Sequence, residues 1–181
     1  MKMVLNVQIR RAVSSDIPTL IAMDHGYSTD HVWQLSLRRE DGEIQASFRE
    51  VRLPRAMRVP YPRQPERLAD EWTEKAAILL AEGGSGPLGY VALAYGPAED
   101  SAWITDLIVD LPHRGKGIGK QLLLAALEWS RERGMNHIFF EMQSKNYPAI
   151  RIAQQAGFAF AGFSDMYYPD QEIALFFAQE L

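Results

Sequence analysis

Cysteine is missing from all 181 residues, and that gap removes several chemistries at once. No disulfide framework, thiolate metal site or cysteine nucleophile can exist, and the absence suits a cytoplasmic protein. Histidine is scarce too: His25, His31, His113 and His137 fall at no metal-like spacing, so no bound metal is expected. Long apolar runs are lacking. Residues 76–81 and 173–178 are the longest, far too short to span a bilayer, and residues 1–11 alternate polar and apolar types without the apolar stretch of a secretion signal. A soluble, unexported chain with no membrane partner is the expectation. Excess positive charge is also missing, since the net charge is −4, which argues against a nucleic-acid partner bound through a broad basic surface. Neither an internal repeat nor a low-complexity tail occurs.

What is present is an ordinary globular mixture, 47% apolar and 23% charged, long enough for one domain over residues 1–181 with a proper core. Leu5, Val7 and Ile9 alternate with Asn6 and Gln8, the pattern of a half-buried first strand at 5–9. Ser14, Ser15 or Asp16 caps a short helix through Met23, with Pro18 in its first turn. Residues 25–30 read as polar and irregular. Beyond them, 32–39 and 44–53 flank Asp41-Gly42, a strong hairpin signal. Residues 54–65 contain four prolines, which predicts an irregular excursion at a substrate mouth and then a short helix near 66–72. The pattern then becomes regular. Strands at 76–81, 88–95 and 103–109 form an antiparallel meander, with a glycine-rich turn between the first two. A helix follows at 117–133, its buried face made by Ile118, Leu122, Ala125 and Trp129 and its end marked by Gly134. A strand at 138–142, a helix at 148–156 and strands at 158–163 and 173–177 complete the chain.

The junction between strand 103–109 and helix 117–133 is the most informative stretch. Arg114-Gly115-Lys116-Gly117-Ile118-Gly119 puts three glycines within five positions, so main chain can approach a ligand closely and adopt positive φ. The helix that follows presents unpaired N–H groups and the positive end of its dipole. Arg114, Lys116 and Lys120 crowd that end, where each cation is disfavoured by roughly 0.3–1 kcal/mol unless an anion is bound. The turn therefore reads as a phosphate site. It is not a dinucleotide fingerprint, which needs glycine where Lys120 stands, nor a P-loop, which needs glycine at Arg114 and Ser or Thr at Gln121.

The order strand, Arg114-x-x-Gly117-x-Gly119, helix, strand, Asn146-x-x-Ala149, helix, Gly157-Phe158 resembles the GNAT superfamily of acyl-CoA-dependent N-acyltransferases over residues 75–181. Glu141-x-Gln143-x-x-Asn146, Gly162-Phe163, Asp165, Tyr167-Tyr168 and the run from Glu172 to Phe176 are similar to its streptothricin acetyltransferase-type branch. The resemblance implies an α+β fold: a mixed, mostly antiparallel central sheet flanked by helices, with a splayed strand pair for coenzyme A and an inserted N-terminal β-hairpin. It implies acetyl-CoA as cosubstrate. Main-chain groups of Leu107, Ile108 and Val109 would pair with the pantetheine arm, amides from Gly115, Lys116, Gly117, Ile118, Gly119 and Lys120 would hold the pyrophosphate with Arg114 beside them, and Asn146 would meet the cosubstrate near pantetheine.

The implied reaction is attack of a neutral amine on the thioester, so a group must take the amine's proton. Asp106, on the central strand and similar in position to the acid of some family members, is the first candidate, and Glu141 on the neighbouring strand is the second. Many members carry a tyrosine seven residues after the asparagine, as proton donor to the leaving thiolate; here that position is Ala153. Tyr147, Tyr167 and Tyr168 are the candidate replacements. Asp24, Tyr27, Asp30, His31 and Trp33 supply carboxylates and aromatic faces for a cationic amine. The reading is an N-acetyltransferase for a small-molecule amine such as a streptothricin-like antibiotic. Its rivals are a protein or peptide acetyltransferase and a non-catalytic acyl-CoA sensor. Nothing in the sequence fixes the oligomeric state; a homodimer is compatible with it.

Overall fold

A computed structural model describes residues 6–181. Its centre is a seven-stranded sheet in the order β1-β4-β5-β6-β7-β9-β8, made of β1 (Gln8–Arg11), β4 (Ala77–Gly83), β5 (Gly86–Tyr95), β6 (Ser101–Val109), β7 (His137–Gln143), β8 (Ala159–Ser164) and β9 (Ala174–Glu180). Every neighbouring pair in it is antiparallel except β6 and β7. A separate antiparallel ribbon joins β2 (Tyr27–Glu40) to β3 (Glu43–Val59). The helices are α1 (Ile17–Ala22), α2 (Leu68–Glu71), α3 (Ile118–Glu132) and α4 (Tyr147–Gln155). This is the α+β architecture expected, including the inserted hairpin. No described helix is long and apolar enough to cross a membrane.

The sheet is covered on both faces, which explains why its central strands are apolar almost throughout. On one face Leu79, Val91, Ile104, Phe140 and Met142 pack against Ile118, Leu122 and Ala126 of α3 and Ile150 and Ala153 of α4. On the other, Ile78, Leu80, Tyr90, Ala92 and Ile108 meet Ile17 and Leu20 of α1 and Leu68 of α2. Each such fully buried aliphatic side chain contributes about 1.5–3 kcal/mol. On α3 the fully buried small residue is Ala126, with the expected Ala125 only partly covered.

Three expectations shift. The first strand is Gln8–Arg11 rather than 5–9, Leu5 lying outside the described residues; Arg10 fixes it by reaching Asp16 at 2.8 Å and Glu82 at 2.9 Å. Residues 27–30, expected to be irregular, already belong to β2. Residues 54–59, expected to be an excursion, belong to β3, because the register jumps from Thr29 opposite Met57 to His31 opposite Arg52. Pro54 sits within that bulge, where no ladder N–H is required. Irregular backbone begins at Pro60 and carries Tyr61, Pro62 and Arg63 toward the sheet.

One detail positions the site. β6 and β7 pair from Ser101 with His137 as far as Ile104 with Phe140, and no farther. β6 then runs on to Val109 against β5, while β7 runs on to Gln143 against β9. Their facing edges part, leaving main-chain groups of residues 105–109 without a strand beside them on that side.

Candidate active site

The parted strands open into a cavity of about 540 Å³ that runs from the start of α3 to the carboxyl group of Asp106. At the α3 end, Gly115 and Gly117 have φ of +73° and +83°, and Gly117 is the residue from which the helix departs. An L side chain there is strained, which explains glycine at both positions. The first amide of the helix to find a main-chain partner is Gln121, bonded to Gly117 O at 3.2 Å. The amides of Ile118, Gly119 and Lys120 precede any carbonyl one turn back, and all three residues line the cavity. A Cβ on Gly119 would stand 3.3 Å from Ile152 Cδ1, so a larger residue would require the Ile152 side chain to give by a few tenths of an ångström.

The cations of the turn divide. Arg114 donates from Nε to Val109 O at 2.7 Å and to Asp24 O, so it braces the strand end against the α1 side. Lys116 donates to Pro112 O at 2.9 Å and does not line the cavity, whereas Lys120 does. Leu107, Ile108 and Val109 form the cavity wall on β6. Asn146 caps α4, its Oδ1 accepting from Ala149 N at 3.2 Å, and its side also borders the cavity.

At the far end Asp106 is 9% exposed. Thr105 is an extra residue in β6 opposite the step from Ala92 to Leu93, and this bulge turns Asp106 toward the α1 and α2 face of the sheet. Tyr61 donates its hydroxyl to Asp106 Oδ1, and Thr105 donates to Oδ2 at 2.7 Å. Arg63 and Lys75 stand 3.6 and 3.9 Å away. Burial pushes the Asp106 carboxyl up to about 7, while these donors and cations pull toward the ionised form. Burial also lowers Lys75, with Arg63 adding to the effect. The result is a carboxyl group poised to change charge near neutrality.

Glu141 is held differently. Arg63 pairs with its Oε1, and Tyr167 donates to Oε2 at 3.0 Å. Arg63 also donates to Thr105 O at 2.8 Å, so one guanidinium bridges the two parted strands, with the Tyr168 ring 5.3 Å from it. Tyr147 is not brought to this site: its hydroxyl donates to Glu50 at 3.1 Å on the ribbon and its ring stacks on His31 at 4.6 Å. The phenols that line the cavity are Tyr27, Tyr61 and Tyr168. The N-terminal cluster disperses likewise. Asp24 pairs with Arg58, Asp30 with His31, and Trp33 packs on Phe48, Phe160 and Phe177, leaving Tyr27 at the cavity. His25, lining the cavity, accepts from Tyr90 at 3.0 Å when Nδ1 donates to Met23 O at 2.8 Å, and burial lowers its pKa.

Tyr61, Arg63 and Lys75 are the site residues that sequence reasoning missed. The proline-framed Pro60-Tyr61-Pro62-Arg63 was the available signal, since prolines on both sides stiffen an aromatic and a cation for presentation.

Comparison with known proteins agrees with this geometry. Residues 45–158 match the acetyltransferase (GNAT) family. A streptothricin acetyltransferase of Streptomyces lavendulae is 29% identical over 162 residues, covering 89% of this chain and 86% of that one. A mycothiol acetyltransferase of Nocardioides is 26% identical over 175 residues, and this chain spans 56% of its length. The crystal structure of a nourseothricin acetyltransferase superposes with a TM-score of 0.80 at 27% identity, covering 96% of this chain and 98% of that one. A protein of Bacillus anthracis provisionally assigned as a streptothricin acetyltransferase, solved with acetyl coenzyme A, shares the fold with a TM-score of 0.76 at 23% identity, covering 98% and 99%. With the family matched over most of its length and the parted strands, glycine turn and helix in place, the chain belongs to the GNAT family and is an acetyltransferase.

Proposed function

We propose that the cavity binds acetyl-CoA and that the protein transfers the acetyl group to a primary amine of a small molecule. One observation carries the reading: an array of free amides at the start of α3 and a buried carboxyl group near neutrality occupy the two ends of one cavity, joined by an unpaired strand edge. The amides of Ile118, Gly119 and Lys120 suit a diphosphate, the open space over Gly115 and Gly117 admits it, and the edge of residues 107–109, paired to no strand on that side although Arg114 holds Val109 O, suits a chain of alternating amides. Bound there, acetyl-CoA supplies the thioester carbonyl that the amine attacks.

The chain's own residues address the proton. A lysine-like amine of pKa about 10.4 is neutral only about once in 10³ molecules at pH 7, a handicap of roughly 4–5 kcal/mol. Asp106 in its ionised form accepts that proton, its oxygens oriented by Tyr61 and Thr105. Glu141 neutralises Arg63 and so fixes residues 60–63 as a strap over the cavity. A thiol near pKa ~8.5 departs tolerably without full protonation, and Tyr168 is the cavity-lining phenol that can return a proton to it.

The relatives named for streptothricin and nourseothricin support a small acceptor. So does Arg63, which bridges β6 and β7 where a peptide acceptor would need an open groove. Incubation with acetyl-CoA and a panel of amines, with free thiol monitored, tests the reading. Amine-dependent thiol release is expected; release only with peptides would favour a protein acceptor, and none across a broad panel would overturn the reading.

A further inference from the structure

β7 alternates strictly around the site. Phe140 and Met142 enter the core beneath α3 and α4, so Glu141 and Gln143 face the opposite side, where Tyr27, Arg63 and Tyr167 approach them. Gln143 is 2% exposed and borders the cavity. Tyr27 donates its hydroxyl to Gln143 Oε1 at 2.8 Å. In this orientation of the amide Nε2 has no partner among the described residues, although it is buried. An unsatisfied buried donor costs about 1–3 kcal/mol, and one on a residue that borders a ligand cavity is placed to recover that cost by donating to an oxygen of the ligand.

We infer that Gln143 is a specificity-determining residue, donating from Nε2 to an oxygen of the acceptor amine. The inference rests on the amine-transfer reading above and narrows its substrate class. The Glu141 carboxylate next to Gln143 is paired with Arg63, and the neutral Gln143 amide, only 2% exposed, cannot offset the desolvation of an anion, which leaves an amide carbonyl or a hydroxyl. The acceptor is therefore a primary amine that also carries a neutral oxygen acceptor. Tyr27 is the positioning residue, because the β2 strand that carries it sets which end of the Gln143 amide faces the cavity.

Lysinamide and cadaverine make the test pair, since they share a carbon skeleton and differ by the carboxamide, which also makes its neighbouring amine less basic, so the ratio is compared between wild type and variants. With acetyl-CoA saturating and thiol release followed, wild type should prefer lysinamide in kcat/KM by about tenfold or more, the size expected when a site's buried donor is left unpaired. Gln143→Leu should collapse that ratio to within about threefold, and Tyr27→Phe, which frees the amide to turn over, should reduce it partway. Tyr27→Phe carries the test if Gln143→Leu fails to fold, judged by its melting transition. A preference that survives both substitutions overturns the inference. So does a loss that appears in the KM for acetyl-CoA with the preference intact, which would place the oxygen on the cosubstrate. Equal turnover of both amines by wild type overturns the inference alone, whereas turnover of neither sinks the amine-transfer reading together with it.

Discussion

In the proposed reaction Asp106 takes the amine's proton, and its burial makes two measurable demands. As the proton acceptor it must be ionised, so kcat/KM, which reports the free enzyme, should rise with pH toward a plateau above about 7, and Asp106→Asn should lose this limb along with roughly 10²–10⁴ of kcat. Stability moves the other way. The folded carboxyl is raised from 3.8 to about 7, so below pH 3.8 it is protonated in both states and contributes nothing. Between these values the folded protein must hold or lose a proton the unfolded chain has already given up, and the cost of ionisation accumulates until it levels off above about 7. Asp106→Asn removes that cost. Denaturation measured across this window should therefore show the variant gaining on wild type as pH rises, and a constant difference would contradict a raised carboxyl. Tyr147 makes the opposite case: with its hydroxyl on Glu50 of the ribbon, Tyr147→Phe should change kcat by no more than about twofold. A loss of the size expected for Asp106→Asn would restore it to the chemistry.

Among the elements, the turn into α3 was the readable part, whereas the parting of β6 from β7 was implied by the family resemblance and begins earlier than Val109, after Ile104. Glycine spacing, three cations at a helix start and the switch from strand to helix periodicity are all local, and the structure places them where that pattern implied. Pro54 misled because a proline in a strand pattern signals a break, yet a bulge absorbed it; bulges depend on the partner strand, which local sequence does not reveal. Tyr61 on Asp106 and Arg63 on Glu141 were hidden for the same reason, lying 45 and 78 residues from their partners. Tyr147 was one of three candidate replacements for the acid missing at Ala153, but it opens α4, whose buried face is set by Ala149, Ile150 and Ala153, and the ribbon takes its ring. At this scale Arg63→Ala tests the strap. It leaves Glu141 buried without its guanidinium, so a loss of about 3 kcal/mol in stability is expected, and a melting temperature equal to wild type would show that the bridge between β6 and β7 does not hold.

Across the whole molecule, the proposed reaction divides the work between the faces of the sheet: α3 and α4 would build the cosubstrate end, while α1, α2, the strap and the ribbon would surround the acceptor end. The ribbon is attached by Trp33, which donates its amide to Ser144 O at 2.9 Å and packs on Phe160 and Phe177. Trp33→Ala should cost about 3 kcal/mol and, because Tyr27 lies on the same strand, should raise the KM for the amine more than that for acetyl-CoA. Equal changes in both would mean that the ribbon does not serve the acceptor end separately. All of these outcomes depend on where the cosubstrate's diphosphate lodges. Gly117 is strained for any side chain yet has open space above it, so Gly117→Glu sets a carboxylate where the diphosphate belongs with modest harm to the fold. Calorimetric titration of acetyl-CoA into wild type and Gly117→Glu is the direct measurement. One-site uptake by wild type, lost in a variant that still melts cooperatively, is the expected result; undiminished uptake by the variant, or none by wild type, would contradict it.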